Sequence, residues 1–236
     1  MSDTGWLVLA GGAEFQPAGE PGDRLLLEAA GGAGARVAIV PTAAAAQGAP
    51  RMAAANGVRH FKRLGADAFG VMIVDQATAD DKALAAQLAR AQLVYIAGGD
   101  PGYLLRCLQH SLAWQAMLNA WRTGAVLAGA SAGAMVLCET MWDPYARRIE
   151  STLGVVKGAA VIPHHQPGSA WVKILRDAPG ESITLLGIAV QTNLIWDGAA
   201  WHVAGPGDVT IYSSGQTMIH HTGDVFTLNG VHVNAG

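Results

Sequence analysis

The run Gly129-Ala130-Ser131-Ala132-Gly133 sets a serine among small neighbours, after the apolar stretch Ala125 to Ala128 and before a helical pattern from Ala132 to Glu139. A serine hydroxyl becomes a useful nucleophile when a sharp strand-to-helix turn lifts it out of a sheet. Such a turn needs small residues, because its strained backbone passes close to adjacent strands and to substrate. The turn also aims the next N–H, that of Ala132, at the carbonyl under attack, as half of an oxyanion hole. The chemistry expected of this pattern is acyl transfer through an acyl-serine. A tightly packed turn with no reaction would carry the same letters.

A serine needs a base. Pro163-His164-His165 closes the apolar run Val155 to Ile162, downstream of the serine, and can bring a histidine to the same sheet edge. His164 is the expected base, and its neighbour His165 must then point elsewhere. Gly98-Gly99-Asp100 ends the strand expected beside the nucleophile strand. The Gly99 N–H is the expected second oxyanion donor, although a glycine turn that only caps a strand looks alike. Around the expected mouth, Asp100, Tyr103, Gln166 and Arg147 are candidate substrate-binding residues, with Arg106 and Arg148 nearby. An arginine there could hold a substrate carboxylate bidentately.

These residues meet only if the chain builds a suitable scaffold. Strand-like runs Trp6 to Leu9, Arg36 to Val40, Ala68 to Val74, Leu93 to Ile96 and Ala125 to Ala128 alternate with helical patterns. The helical patterns cover Asp23 to Ala30, Gln47 to Leu64, Ala79 to Ala91, and Gly102 to Arg122 with a break near His110-Ser111. Strict alternation predicts an α/β fold with right-handed crossovers, a mostly parallel central sheet and flanking helices. Ligands bind such sheets at the carboxyl ends of the strands, where the Gly-rich turns fall. From about Val155 the pattern changes to short strands with turn signals, read as an antiparallel β extension at one side of the sheet. One α/β domain spanning residues 1–236 is expected, with no internal repeat.

Composition narrows the partners. The formal net charge is −3, and Lys and Arg are scattered along the chain, so no nucleic-acid partner is expected. Cys107 and Cys138 fall in helical patterns, where a free cysteine behaves as a small apolar residue. The His164-His165 and His220-His221 pairs lack zinc-ligand spacing, and Gly11-Gly12 lacks the third glycine and acid of a dinucleotide fingerprint. Neither a metal nor a cofactor is therefore expected. The first apolar run is too short for a signal peptide or membrane span, so the expectation is a cytoplasmic protein without a membrane partner. A homodimer stays open.

Gly129 to Ala134, Gly98-Gly99-Asp100 with Leu104, and Pro163-His164, with the runs Leu7 to Gly12 and Arg36 to Thr42, resemble peptidase family S51, which includes dipeptidase E and cyanophycinase. The resemblance runs from about Trp6 to Tyr212. It implies a flavodoxin-like fold like that of class I glutamine amidotransferases, with serine replacing their cysteine. It implies Ser131 as nucleophile, His164 as base, and Gly99 and Ala132 as oxyanion donors. The family also carries an Asp-Glu pair whose Glu orients the histidine, and here Ala189 and Val190 stand at those positions. Asp143 is the first candidate to replace that acid, with the amides of Gln191 and Asn193 as neutral substitutes and Glu139 read as a helix-end charge.

The expected activity is cleavage of a small peptide or isopeptide by a serine-type peptidase or amidohydrolase. The alternative is a catalytically impaired relative that binds a small ligand or partner, motivated by Val190. An esterase of the α/β-hydrolase type is disfavoured, because that fold's histidine lies near the end of the chain.

Overall fold

Apolar residues alternate in side along the first strands, and that period of two decides which helices cover which face. The computed structural model describes residues 4–177 and 183–234. In it β1 (Leu7–Ala10), β2 (Arg36–Val40), β3 (Asp67–Gly70), β4 (Leu93–Ile96) and β5 (Val126–Ala130) form a parallel array in the order β1-β5-β4-β2-β3. Val8, Val37, Ile39 and Tyr95 face one side, where α1 (Glu20–Ala29) and α3 (Pro50–Arg63) deliver Leu26, Leu27 and Phe61. Leu7, Leu9, Val40, Val94 and Ile96 face the other. There α5 (Lys82–Leu88), α6 (Pro101–Leu108), α7 (Leu112–Arg122) and α8 (Ala132–Leu137) supply Leu88, Leu104, Met117, Trp121 and Val136. The short helices α2 (Thr42–Ala45) and α4 (Gln76–Ala79) sit in connections above the sheet. The fold is α/β with a mostly parallel central sheet between helices, as the alternation predicts. Among the described residues, no helix is long and apolar enough to cross a membrane.

The break between α6 and α7 falls where expected. His110 takes a positive φ of 66°, and the Ser111 hydroxyl accepts from the Trp114 N–H at 3.1 Å, starting the second helix. Other boundaries moved. The run Ala68 to Val74 pairs only through Gly70, and Val155 to Ile162 splits at Gly158 (φ 73°) into β8 (Val156–Lys157) and β9 (Ala159–Ile162).

The antiparallel extension is not one structure but two. β11 (Asn193–Trp196), β12 (Trp201–Ala204) and β15 (Val225–Phe226) add antiparallel strands beside β1. A separate four-stranded sheet takes the order β14-β13-β10-β9, from β10 (Thr184–Ile188), β13 (Val209–Ser213) and β14 (Gln216–His220), with β9 and β10 parallel. Sequence alternation marks strands and not their partners, so this split was not visible. A hairpin of β6 (Thr140–Asp143) and β7 (Arg148–Ser151), α9 (Ala170–Arg176) and the β16 (His232–Val233) pairing with β8 complete the description.

Small residues allow α8 to lie directly on the sheet. A Cβ at Gly129 would stand 2.5 Å from the carbonyl of Gly133, and one at Gly133 would stand 2.5 Å from the carbonyl oxygen of Ile96. Both neighbours are backbone and cannot yield cheaply. Gly129→Ala should therefore lower stability by about 1–3 kcal/mol, the usual cost of overpacking, read as a shifted urea midpoint at unchanged slope.

Candidate active site

Three strand ends converge at the top of the sheet. β5 lies between β1 and β4, so the residue that follows it, Ser131, is flanked by Gly11-Gly12 and Gly98-Gly99. Ser131 adopts φ 50° and ψ −109°, a region that non-glycine residues avoid at a cost of about 1–3 kcal/mol. Its N–H donates to the Ala10 carbonyl at 2.9 Å, and its own carbonyl accepts from Met135 at 3.0 Å. The side chain does not cap α8. Instead Ser131 Oγ lies 2.9 Å from His164 Nε2.

His164 is held from below. Its φ is 50°, its N–H donates to the Gly11 carbonyl at 2.8 Å, and its ring lies over the Cα of Gly12. Any Cβ at Gly12, which itself has φ 101°, would collide with the imidazole. His165 turns the other way. Its N–H donates to the Ile188 carbonyl at 3.0 Å, and its buried ring reaches Tyr212 Oη at 2.9 Å. Burial pushes the His165 imidazole below its ordinary pKa, because the charged form is disfavoured away from water.

The third member of the expected triad is where structure and sequence part. Asp143 is buried, but its Oδ1 accepts from the N–H groups of Tyr145 and Ala146 at 2.8 and 3.0 Å. Its Oδ2 packs against Gly102 in α6. The chain reversal after β6 consumes this carboxylate, and no hydrogen bond joins it to His164. Glu139 accepts from the Gly158 N–H at 2.6 Å, and Asn193 hydrogen-bonds Asp23. Val190 is 41 % exposed. Among the described residues none hydrogen-bonds His164 Nδ1. The serine and histidine form a dyad.

For a forming oxyanion, the N–H groups of Gly99 and Ala132 have no acceptor among the described residues. Gly99 has φ 148° and no room for a side chain, since a Cβ would strike the Ala43 carbonyl. The Gly98 N–H is already taken by Glu14 Oε1 at 2.8 Å. Glu14 escaped the sequence reading. Its one signal was position, an acid just past a Gly-Gly turn on the ligand edge of the sheet.

The expected mouth residues divide. Asp100 caps α6, accepting from the Tyr103 N–H at 2.8 Å, and Tyr103 Oη donates to the Val74 carbonyl at 2.7 Å. Both brace the turn beneath Gly99. Gln166 and Arg147 are exposed, on the loops after β9 and β6, and neither side chain hydrogen-bonds another described residue. Among the described residues no group of three or more His, Cys, Asp or Glu is placed to hold a metal ion.

Comparisons with known proteins bear on the family and the fold. The family model of peptidase family S51 matches residues 7–201. The cyanophycinases of Synechococcus elongatus and Thermosynechococcus vestitus are each 30 % identical over 142 residues, covering 58 % of this chain and 42 % of theirs. The matched chain thus spans less than half the length of these relatives. A crystal structure of a peptidase from an acI-B1 Actinobacterium superimposes with a TM-score of 0.85 at 30 % identity, covering 95 % of this chain and 97 % of that one. A peptidase E candidate from Listeria monocytogenes EGD-e shares the fold, with a TM-score of 0.63 at 17 % identity over 86 % of this chain and all of its own.

Two measurements check the geometry. In a crystal structure of Gly12→Ala, the His164 ring should be displaced and its 2.9 Å contact with Ser131 lost. In an NMR titration His165 should gain its proton below about pH 6.5, the unfolded value. Between those two pKa values the unfolded chain binds the extra proton, so this group makes stability fall as pH falls through about 6.5.

Proposed function

Because the chain belongs to peptidase family S51, we propose that it is a serine-type peptidase or amidohydrolase that cleaves a small peptide or isopeptide through an acyl-serine intermediate. The observation that carries this reading is the 2.9 Å approach of Ser131 Oγ to His164 Nε2, on a strained turn beside two unpaired backbone N–H groups. Ser131 attacks the carbonyl carbon while its proton passes to His164 Nε2. The N–H groups of Gly99 and Ala132 hold the oxyanion. As the C–N bond breaks, His164 returns the proton to the departing amine. Water then repeats the sequence, releasing the acid and restoring the serine.

Among the described residues no carboxylate stands behind the base. For Nε2 to accept the serine proton, Nδ1 must carry the ring hydrogen, and among the described residues no acid enforces that tautomer or stabilises the imidazolium. Orientation comes from packing on Gly12 and from the main-chain bond to Gly11. In subtilisin, losing the triad acid costs about 3 × 10⁴ in kcat, against about 2 × 10⁶ for losing serine or histidine. The dyad is therefore expected to be slow and still dependent on both members.

A fluorophosphonate probe tests this directly. Wild-type protein should be labelled on Ser131, Ser131→Ala should not react, and His164→Gln should react at least about a hundredfold more slowly. Folded wild-type protein that resists labelling would sink the reading and leave a ligand-binding relative in its place.

A further inference from the structure

The acyl-transfer steps leave one buried titratable pair without a task. Asp23 on α1 and His60 on α3 are each 4 % exposed, at core-facing positions beside Leu26 and Phe61. His60 Nε2 donates to Asp23 Oδ2 at 2.8 Å. Arg63 can only donate, and it reaches His60 Nδ1 at 3.4 Å, which puts the ring hydrogen on Nε2. Burial pushes the Asp23 carboxyl above its ordinary pKa, while hydrogen bonds from His60 and Asn193 act the other way. Such a pair seldom adds net stability, since apolar residues of similar volume usually do as well or better. Its presence at this point of the core needs another explanation.

The pair is linked by hydrogen bonds to the turn that carries the base. The second partner of Asp23 is Asn193, the first residue of β11. Asn193 is buried, pairs with Ala10 in the sheet, and lies so near α1 that a Cβ on Gly22 would stand 2.7 Å from its Nδ2. The two residues before it hold the turn after β1. The Thr192 carbonyl accepts from the Gly11 N–H at 2.9 Å, and the Gln191 N–H donates to the Gly12 carbonyl at 2.8 Å. Gly11 and Gly12 in turn carry His164, by its main-chain bond and by the ring packed on Gly12. We propose that Asp23 is a positioning residue: fixed by His60 and bonded to Asn193, it holds the Gly11-Gly12 turn and thereby keeps His164 Nε2 on Ser131. Orientation that a triad draws from a carboxylate on the imidazole is drawn here from one that acts through β11. The proposal rests on the acyl-serine reading for the reaction that is measured, and on the hydrogen bonds alone for the geometry.

The rate at which a fluorophosphonate labels Ser131 reads the consequence. Asp23→Asn keeps the shape of the side chain and replaces one acceptor by a donor. Labelling should slow by about ten- to a hundredfold, the scale of a misplacement of about 1 Å. His60→Leu cuts the same link from α3 and should slow labelling likewise, whereas His60→Gln, whose amide N–H can replace Nε2–H, should restore most of the rate. A merely structural fault would lower reactivity whatever the base, so the deciding comparison is made in His164→Gln protein. There Asp23→Asn should have no further effect, because the residue it positions is gone. A crystal structure of Asp23→Asn answers without turnover, since the 2.9 Å contact between Ser131 and His164 should open beyond hydrogen-bond reach. Wild-type protein that resists labelling, with that contact opened in the variant, would remove the acyl-serine reading and uphold the brace. Four results overturn the proposal. They are unchanged labelling in folded Asp23→Asn and His60→Leu, an equal loss with and without His164, labelling of His60→Gln no faster than that of His60→Leu, and a dyad contact kept at its wild-type length.

Discussion

Three consecutive carbonyls hold the site together. Those of Ala10, Gly11 and Gly12 accept from the N–H groups of Ser131, His164 and Gln191, at 2.9, 2.8 and 2.8 Å. The three donors come from segments far apart in sequence, and each is fixed by main chain before any side chain acts. Backbone bonds of this kind leave little rotational freedom, so the serine–histidine distance follows from the course of β1 as much as from either side chain. The three donors also share an unusual conformation, with φ of 50° at Ser131, 50° at His164 and 58° at Gln191. Strain at that level persists only where surrounding structure over-determines it, and the end of β1 supplies that determination.

This arrangement explains what the sequence disclosed and what it withheld. The nucleophile turn was legible because small residues between a strand and a helix have a direct steric meaning. The glycine turn after β4 was legible for the same reason. The choice of His164 over His165 had no steric signal behind it, since adjacent histidines look alike until a backbone turns one of them outward. Gly11-Gly12 carried an ambiguous signal, because a glycine that lets an imidazole lie against its Cα is written no differently from one that merely ends a strand. Asp143 misled for a physical reason. A carboxylate just after the nucleophile helix is close to the histidine in sequence, yet an Asp at the start of a tight reversal is drawn to the nearest backbone N–H groups. Glu14 stayed hidden because its partner, the Gly98 N–H, belongs to a different strand end.

That no described acid meets His164 has an electrostatic meaning beyond orientation. A carboxylate behind the imidazole would share its burial and balance the positive charge formed during reaction. Here His164 is exposed, and solvent can take over part of that balance. Glu14 instead holds its carboxylate on the Gly98 N–H, across the glycine turn beside the serine.

Ser131 directly follows a strand of the eight-stranded sheet, whereas His164 lies two residues past a strand of the separate four-stranded sheet. The dyad is therefore a seam between two layers that share one apolar core. A sliding of one layer by a single residue step, about 3.3 Å, would exceed the whole length of the serine–histidine hydrogen bond. Loss of reactivity should thus precede loss of secondary structure under mild denaturant, so that the dyad acts as a gauge of how the layers are docked.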